Sequence, residues 1–538
     1  MIIVLDLGEI LPIPIMDTPV FDTKIPTEGE VAPPLPDPEP PVGFSPEIAP
    51  SIRSSEIPSA NPFIPKNVLP PKEDVVVPEP QPQPQPSLVT EDMPPPSPTR
   101  RGHGIVRRLF MIFVFLLLLA GLFFGIRFAL NMARGQGKEA TLVYWGLWED
   151  DQVVQRVIQE FQKSNPKIKI QYIKQSPKQY RERLQAAVNR GDGPDVFRFH
   201  NTWVPMLQKE LSAVPKTILT VSEFTNQFYP VAAADLIGGS TIYGIPMMID
   251  GLGLYYNESI FDAHGISPPS TWEEVLNIVP EITEKRDNSI TISGIALGTT
   301  NNVEHYSDIL GVMFLQNGAN LTNPVGKEAE EALIFYKKFT DPNDPVYTWN
   351  ETLDNSVYAF ATGRVAMMLA PSWRAFDVLQ INRTLRFKIA PIPQLPGNTI
   401  SWASYWVEGV SSESKHQKEA WEFVKFLTSK NTVATLYTEA SKTRLFGEPY
   451  ARVDMASSLQ DDPYAGAYIN QAKTSRSFPL ASRTFDNGIN DRLIKYLEDA
   501  VNGLRDGNAP NAVLETASSG FQQVLSSYGL SSSSPLQR

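Results

Sequence analysis

Between residues 140 and 200 the hydrophobic positions change period in a regular alternation. Leu142 to Trp148 is a dense apolar run that reads as a buried strand and its exit. Val153, Val154, Val157, Ile158 and Phe161 then recur at helical spacing behind Asp150 or Asp151, either of which can cap that helix. Asn165-Pro166 stops it, and Ile168, Ile170 and Tyr172 alternate as a second strand. Ser176-Pro177 predicts the next helix start, with Tyr180, Leu184, Ala187 and Val188 facing inward. Gly191 follows it in the place of a left-handed C-terminal residue. Gly193-Pro194 forces a turn, and Asp195 to Phe199 run extended. This β-α-β-α-β order predicts an α/β fold built on a parallel, doubly wound sheet.

In such sheets ligands bind just outside the carboxyl ends of the strands. His200, Asn201, Thr202 and Trp203 leave the third strand there. Hydrogen-bonding groups beside an indole suit a sugar ring, whose hydroxyls need donors and acceptors and whose apolar face needs an aromatic plate. A plainer reading is an ordinary connection with a core Trp and a structural His.

Four later stretches are Tyr243-Gly244-Ile245-Pro246 through Tyr255-Tyr256-Asn257, Ser270-Thr271-Trp272-Glu273-Glu274, Ala359-Phe360 through Gly363-Arg364-Val365-Ala366-Met367-Met368, and Pro391-Ile392-Pro393. With the two earlier ones, in this order, they resemble the extracellular solute-binding proteins of ABC importers, the maltose-binding-protein-like family. The resemblance implies a two-lobed fold of the type II periplasmic-binding-protein kind, with a cleft between lobes. It implies a first lobe of about 140–249 and 403–445 and a second of about 251–396 and 446–528. The crossings fall near Asp250-Gly251, Pro396 to Ala403, and Phe446. Binding positions implied in the first lobe are Trp148, Glu149 and Asp150, then His200, Asn201 and Trp203, with Asp250 at the crossing. From the second come Tyr306 beside Glu304 and His305, and Trp373 and Arg374; Trp402 and Trp406 lie near a crossing. Glu149 and Asp150 also fit as carboxylates favoured at a helix start, and Arg374 as the partner of a buried carboxylate. Trp145, Trp272 and Trp421 fit core positions better than a cleft.

The chain has 538 residues, and its composition divides sharply. Residues 1–99 hold 26 of the 48 prolines with 15 acidic and 4 basic residues, whereas the remainder carries 43 basic and 44 acidic ones. The low pI therefore belongs to a Pro-rich segment, expected at 1–108 to be disordered, with polyproline II over residues 80–86. No basic patch points to nucleic acid. Leu109 to Ile126 is an uninterrupted run of 18 apolar or Gly residues. As a helix it would span roughly 27 Å, so a transmembrane helix is expected at 109–130, followed by a linker at 131–139. The denser Arg cluster before it predicts a cytoplasmic N-terminus and an extracellular binding domain over 140–528; a short disordered tail follows at 529–538. There is no cysteine, so no disulfide, thiolate metal site or lipidated Cys is possible. Asp341, Asn343 and Asp344 have calcium-loop chemistry, but Pro342 and Pro345 break the spacing and favour a turn. No GxSxG, HExxH or P-loop pattern is present; any Asp/Glu pair across a cleft would suit glycoside hydrolysis, so a glycosidase is a distant third reading against which the resemblance argues, and no cofactor or metal is expected. The expectation is a monomeric, membrane-anchored solute-binding protein that takes a small molecule, a carbohydrate by preference, to ABC permease subunits. A ligand-sensing or adhesive ectodomain on the same scaffold is the alternative.

Overall fold

The computed structural model describes residues 111, 113, 115–127, 139–287, 289–397 and 399–530. The Pro-rich segment, nearly all of the linker and residues 531–538 lie outside them. Residues 115–127 are helical, with exposed apolar side chains such as Leu118 and Phe124. Among the described residues no helix is long and apolar enough to cross a membrane. The rest of the expected span, apart from residues 111 and 113, lies outside them.

Along the chain β1 (Ala140–Gly146), α1 (Asp151–Ser164), β2 (Ile168–Lys174), α2 (Tyr180–Arg190) and β3 (Val196–His200) come first. They are followed by β4 (Ile245–Pro246), β5 (Gly253–Asn257), α3 (Trp272–Ile282), β6 (Glu284–Arg286), β7 (Ser289–Ile295) and α4 (Tyr306–Gln316). Then come β8 (Val365–Ala370), α5 (Arg374–Ile381), β9 (Phe387–Ala390), β10 (Trp406–Val410), α6 (Gln417–Leu427) and α7 (Ile489–Arg505). Two five-stranded sheets result, one per lobe, in the orders β2-β1-β3-β10-β4 and β9-β5-β8-β7-β6.

The first sheet is mixed, not wholly parallel. β1 pairs in parallel with β2 and β3, but β10 returns from 200 residues later and pairs antiparallel with β3, Trp406 opposite His200. Helix α1 buries the five residues its period marked, and α2 buries Tyr180, Leu184, Ala187 and Val188. Burying each such large apolar side chain stabilises by about 1.5–3 kcal/mol. Gly191 ends α2 at φ 78°, the left-handed region that glycine enters at no steric cost. The start of α2 differs from expectation. Ser176 accepts from the Lys178 amide in a local turn, and α2 begins only at Tyr180 behind a left-handed Gln179. Asp150 sits at the N-cap of α1 but makes no side-chain cap; its carboxylate pairs with Lys174 at 2.7 Å. In the second lobe Thr271 and Glu274 form a reciprocal capping box that fixes the start of α3.

The crossings converge where backbone meets backbone. Gly251 bridges Ala403, the Ser404 amide donates to the Asp250 carbonyl at 2.9 Å, and Ser401-Trp402 pairs with Ser475-Arg476. A Cβ at Gly251 would overlap the Trp402 carbonyl oxygen, so this approach requires glycine. Around the expected third crossing the chain touches both lobes: Phe446 packs against Phe376 of α5, Tyr450 and Arg452 bridge to Met248 and Phe228, and the Pro463 carbonyl accepts from Ile389.

Candidate functional site

A cavity of about 520 Å³ opens between the lobes above these crossings. One wall comes from the first lobe: Trp148 at the exit of β1, His200 ending β3, and Ser404 and Trp406 at the start of β10. The Trp148 and Trp406 rings meet edge to face with centroids 4.8 Å apart, and His200 packs 5.1 Å from Trp406. Both ring nitrogens of His200 are engaged, Nδ1 with Thr202 Oγ1 at 2.8 Å and Nε2 with Ser404 Oγ at 3.1 Å. Pro177, freed from α2 by the late helix start, lies on the same wall.

The facing wall comes from the two loops that start α4 and α5. Trp373 is 38% exposed, with the Arg374 guanidinium 4.0 Å over its ring. Arg374 also donates to Glu304 at 2.7 Å, to Asp377 at 2.6 Å and to His305 Nε2 at 3.0 Å. Since Arg only donates, His305 carries its proton on Nδ1 and gives it to Ser482 Oγ at 2.6 Å. A third side is the segment Ser482 to Phe485, where Arg483 pairs with Glu304. Arg483, Phe485 and Asn487 all have φ between 44° and 63°. Each such non-glycine residue costs roughly 1–2 kcal/mol. Buried Asp486 holds the turn by accepting from the Gly488 and Asn490 amides and from Asn490 Nδ2.

The sequence profile of the bacterial extracellular solute-binding protein family matches residues 145–433, more than half of the chain. The chain belongs to this family. It is a family of binding proteins, not of enzymes. The multiple sugar-binding protein of Streptococcus mutans is 25% identical over 341 residues, covering 60% of this chain and 80% of that relative. Two solved structures share the fold. The sugar-binding protein MalE of Xanthomonas citri superposes with a TM-score of 0.58 at 20% identity, covering 72% of this chain and 98% of that one. A cyclo/maltodextrin-binding protein complexed with maltotetraose superposes with a TM-score of 0.58 at 19% identity and the same coverage.

Of the twelve positions expected to bind in this solute-binding protein, the cavity wall contains Trp148, His200, Asp250, Trp373, Arg374 and Trp406. The other six lie elsewhere. Trp203 is fully buried, because the chain turns into a short helix after His200 and rotates the indole into the first-lobe core. Trp402 is equally buried over Gly311, its Nε1 donating to Asp308 at 2.8 Å. Glu149 pairs with Arg198, which also binds Glu408 at 2.7 Å; all three are sequestered beneath the first wall. Asp150 is spent on Lys174, as described, and is exposed. Asn201 donates to Asp235 at 2.9 Å and faces a separate cavity of about 200 Å³. Tyr306 lies against Ile494 on α7. Asp341 and Asp344 belong to a plain turn, in which Asp341 accepts from the Asn343 amide and Asp344 pairs with Lys338. Among the described residues no cluster could hold a metal ion.

Residues 482–485, Arg444, Glu448, Asp308 and Asp377 also line the cavity, with apolar Met248, Leu252 and Phe376, and were missed in the sequence. Asp486-Asn487-Gly488 is a strong turn signal that marks the first of these segments as a loop. The electrostatics follow from burial. Desolvation pushes Asp250 up to about 7, although Ser372 and Gly251 amides and the Ser372 hydroxyl bond it and pull the other way. Desolvation likewise pushes Asp308 up to about 6. Burial drives His200 down to about 3, and burial with the Arg374 charge holds His305 well below its ordinary value. Both imidazoles are therefore neutral at physiological pH.

Proposed function

We propose that this protein captures a sugar or small oligosaccharide in the interlobe cleft and delivers it to the membrane subunits of an ABC importer. One observation carries the ligand class. Indole side chains line the cavity from both lobes, Trp148 and Trp406 from the first and Trp373 from the second, together with carboxylates and arginines. Flat apolar ring faces and rows of hydroxyls ask for this combination. A volume of about 520 Å³ falls within the ~300–1,000 Å³ of ordinary small-ligand sites. The names of the relatives, a multiple sugar-binding protein and a maltodextrin-binding protein, point the same way. Ligand contacts on both walls favour the closed arrangement of the lobes, the form that presents both sets at once.

Anchoring to the membrane rests on the 18-residue apolar run Leu109 to Ile126, with the binding domain outside the cell and the Pro-rich segment inside. Protease added to intact cells should then remove the binding domain and spare residues 1–99. Protection of the binding domain would reverse this topology and end the transport reading. The ligand class is tested by thermal-shift screening of the full chain against neutral mono-, di- and trisaccharides. A binder at 100 times its dissociation constant should add about 2.7 kcal/mol of stability. A flat response across the sugars, with a shift from another solute class, would refute it.

A further inference from the structure

The charge arrangement of the cleft narrows the ligand class, on the reading of the cleft as a sugar site. We propose that it admits uncharged sugars and excludes anionic ones, uronates and phosphate esters, because among the described residues Asp250 and Asp308 face the cavity without a cationic partner while every arginine of its wall is already neutralised. The wall holds three arginines and five carboxylates. Arg374 and Arg483 share Glu304, and Arg374 also takes Asp377. Arg444 is paired with Glu448 at 2.8 Å. Three positive charges thus face three partnered carboxylates, and no guanidinium is left without an acid for an incoming anion.

Asp250 and Asp308 remain. Asp250 accepts only from neutral donors: the Gly251 amide at 2.8 Å, the Ser372 amide at 3.0 Å and the Ser372 hydroxyl at 2.9 Å. Asp308 accepts from Trp402 Nε1 at 2.8 Å and the Ser482 amide at 3.0 Å. His305 Nδ1 is 3.9 Å from Asp308, but that imidazole is neutral. Each carboxylate keeps lone pairs for ligand hydroxyls, and each repels a second anion in a cavity that water screens poorly. Helix N-termini ordinarily draw anions. The two that open on this cavity, of α4 and α5, carry Asp308 and Asp377 in their first turns, so an incoming anion would meet a carboxylate at each.

The test is calorimetric titration of the full chain at pH 7.5 with neutral di- and trisaccharides, and with the same compounds oxidised to a uronate or carrying a phosphate ester. A neutral compound should bind, and its anionic counterpart at least tenfold more weakly. Asp250→Asn should shrink that ratio, whatever it does to the neutral sugar. The amide oxygen can accept from the two backbone N–H groups and the amide nitrogen can donate to Ser372, so the local bonds survive. Should that variant fail to fold, the wild-type ratio decides alone. An anionic sugar bound as tightly as its neutral parent, or tighter, overturns the inference and leaves the sugar reading intact. If no sugar of either kind binds, it is the sugar reading that falls.

Discussion

Truncation of Trp203 separates core from cleft most sharply. Trp203 leaves β3 where binding residues are expected, yet it is fully buried. Its ring lies 6.2 Å from Tyr180, 6.2 Å from His200 and 5.2 Å from Trp406. Trp203→Ala therefore opens a large cavity, which costs about 3–5 kcal/mol. The indole Nε1 has no partner among the described residues, so no acceptor is orphaned and no further term is added. With an unfolding entropy of about 2.1 cal/mol/K per residue over roughly 390 residues, each kcal/mol moves the midpoint by about 1.2 °C. The apo protein should then melt about 4–6 °C below wild type. Trp373→Ala is the control. That side chain is 38% exposed at the cavity rim, so its loss should leave the apo midpoint within about 1 °C. It should weaken binding of a screened sugar by about 2 kcal/mol, as loss of an aromatic anchor does. Calorimetric melting and titration on both variants give the four numbers needed. Wild-type melting with lost binding in Trp203→Ala would refute the core placement. Depressed melting with normal binding in Trp373→Ala would remove Trp373 from the site.

The apo protein should change little in stability between pH 8 and 5.5, because opposed titrations meet there. Asp250 and Asp308 bind protons more tightly folded than unfolded and gain stability as pH drops through about 7 and about 6, whereas buried His200 and His305 stay neutral and lose it as the unfolded imidazoles charge below their ordinary value of 6.5. Asp250→Asn removes one of the gains, so its melting midpoint should fall more than that of wild type on going from pH 8 to 5.5; equal changes in the two proteins would contradict this. Glu408→Gln leaves Arg198 buried with only Glu149 for charge, and denaturant unfolding should show a loss of about 3–5 kcal/mol. Thr271→Ala removes the capping box of α3 and should cost about 1 kcal/mol in the same assay without changing sugar affinity. Gly251→Ala places a Cβ against the Trp402 carbonyl where the lobes join, and should fail to accumulate as folded protein in a soluble-expression and melting comparison.

Local signals in the sequence were enough for the first lobe's elements. The periods of 2 and 3.6 mark β2, α1 and the inner face of α2, because burial on one side is a short-range property of the chain. Gly191 marks the end of α2 for the same reason: the groups it helps satisfy lie within a few residues. The direction of β10 was not legible, since its pairing with β3 joins residues some 200 apart and an apolar run carries no sign of its partner's orientation. Nor could the sequence say which aromatics face the ligand. Trp203 and Trp406 both flank strands of one sheet, but a helical turn rotates the first into the core while β10 presents the second to the cavity. Glu149 has the chemistry of a binding carboxylate, and only the buried Arg198 beneath it shows that its charge is engaged. Ser482 to Phe485 reach the cleft because three crossing segments pack at Gly251, Trp402 and Ser475, a convergence that exists only once the lobes have folded.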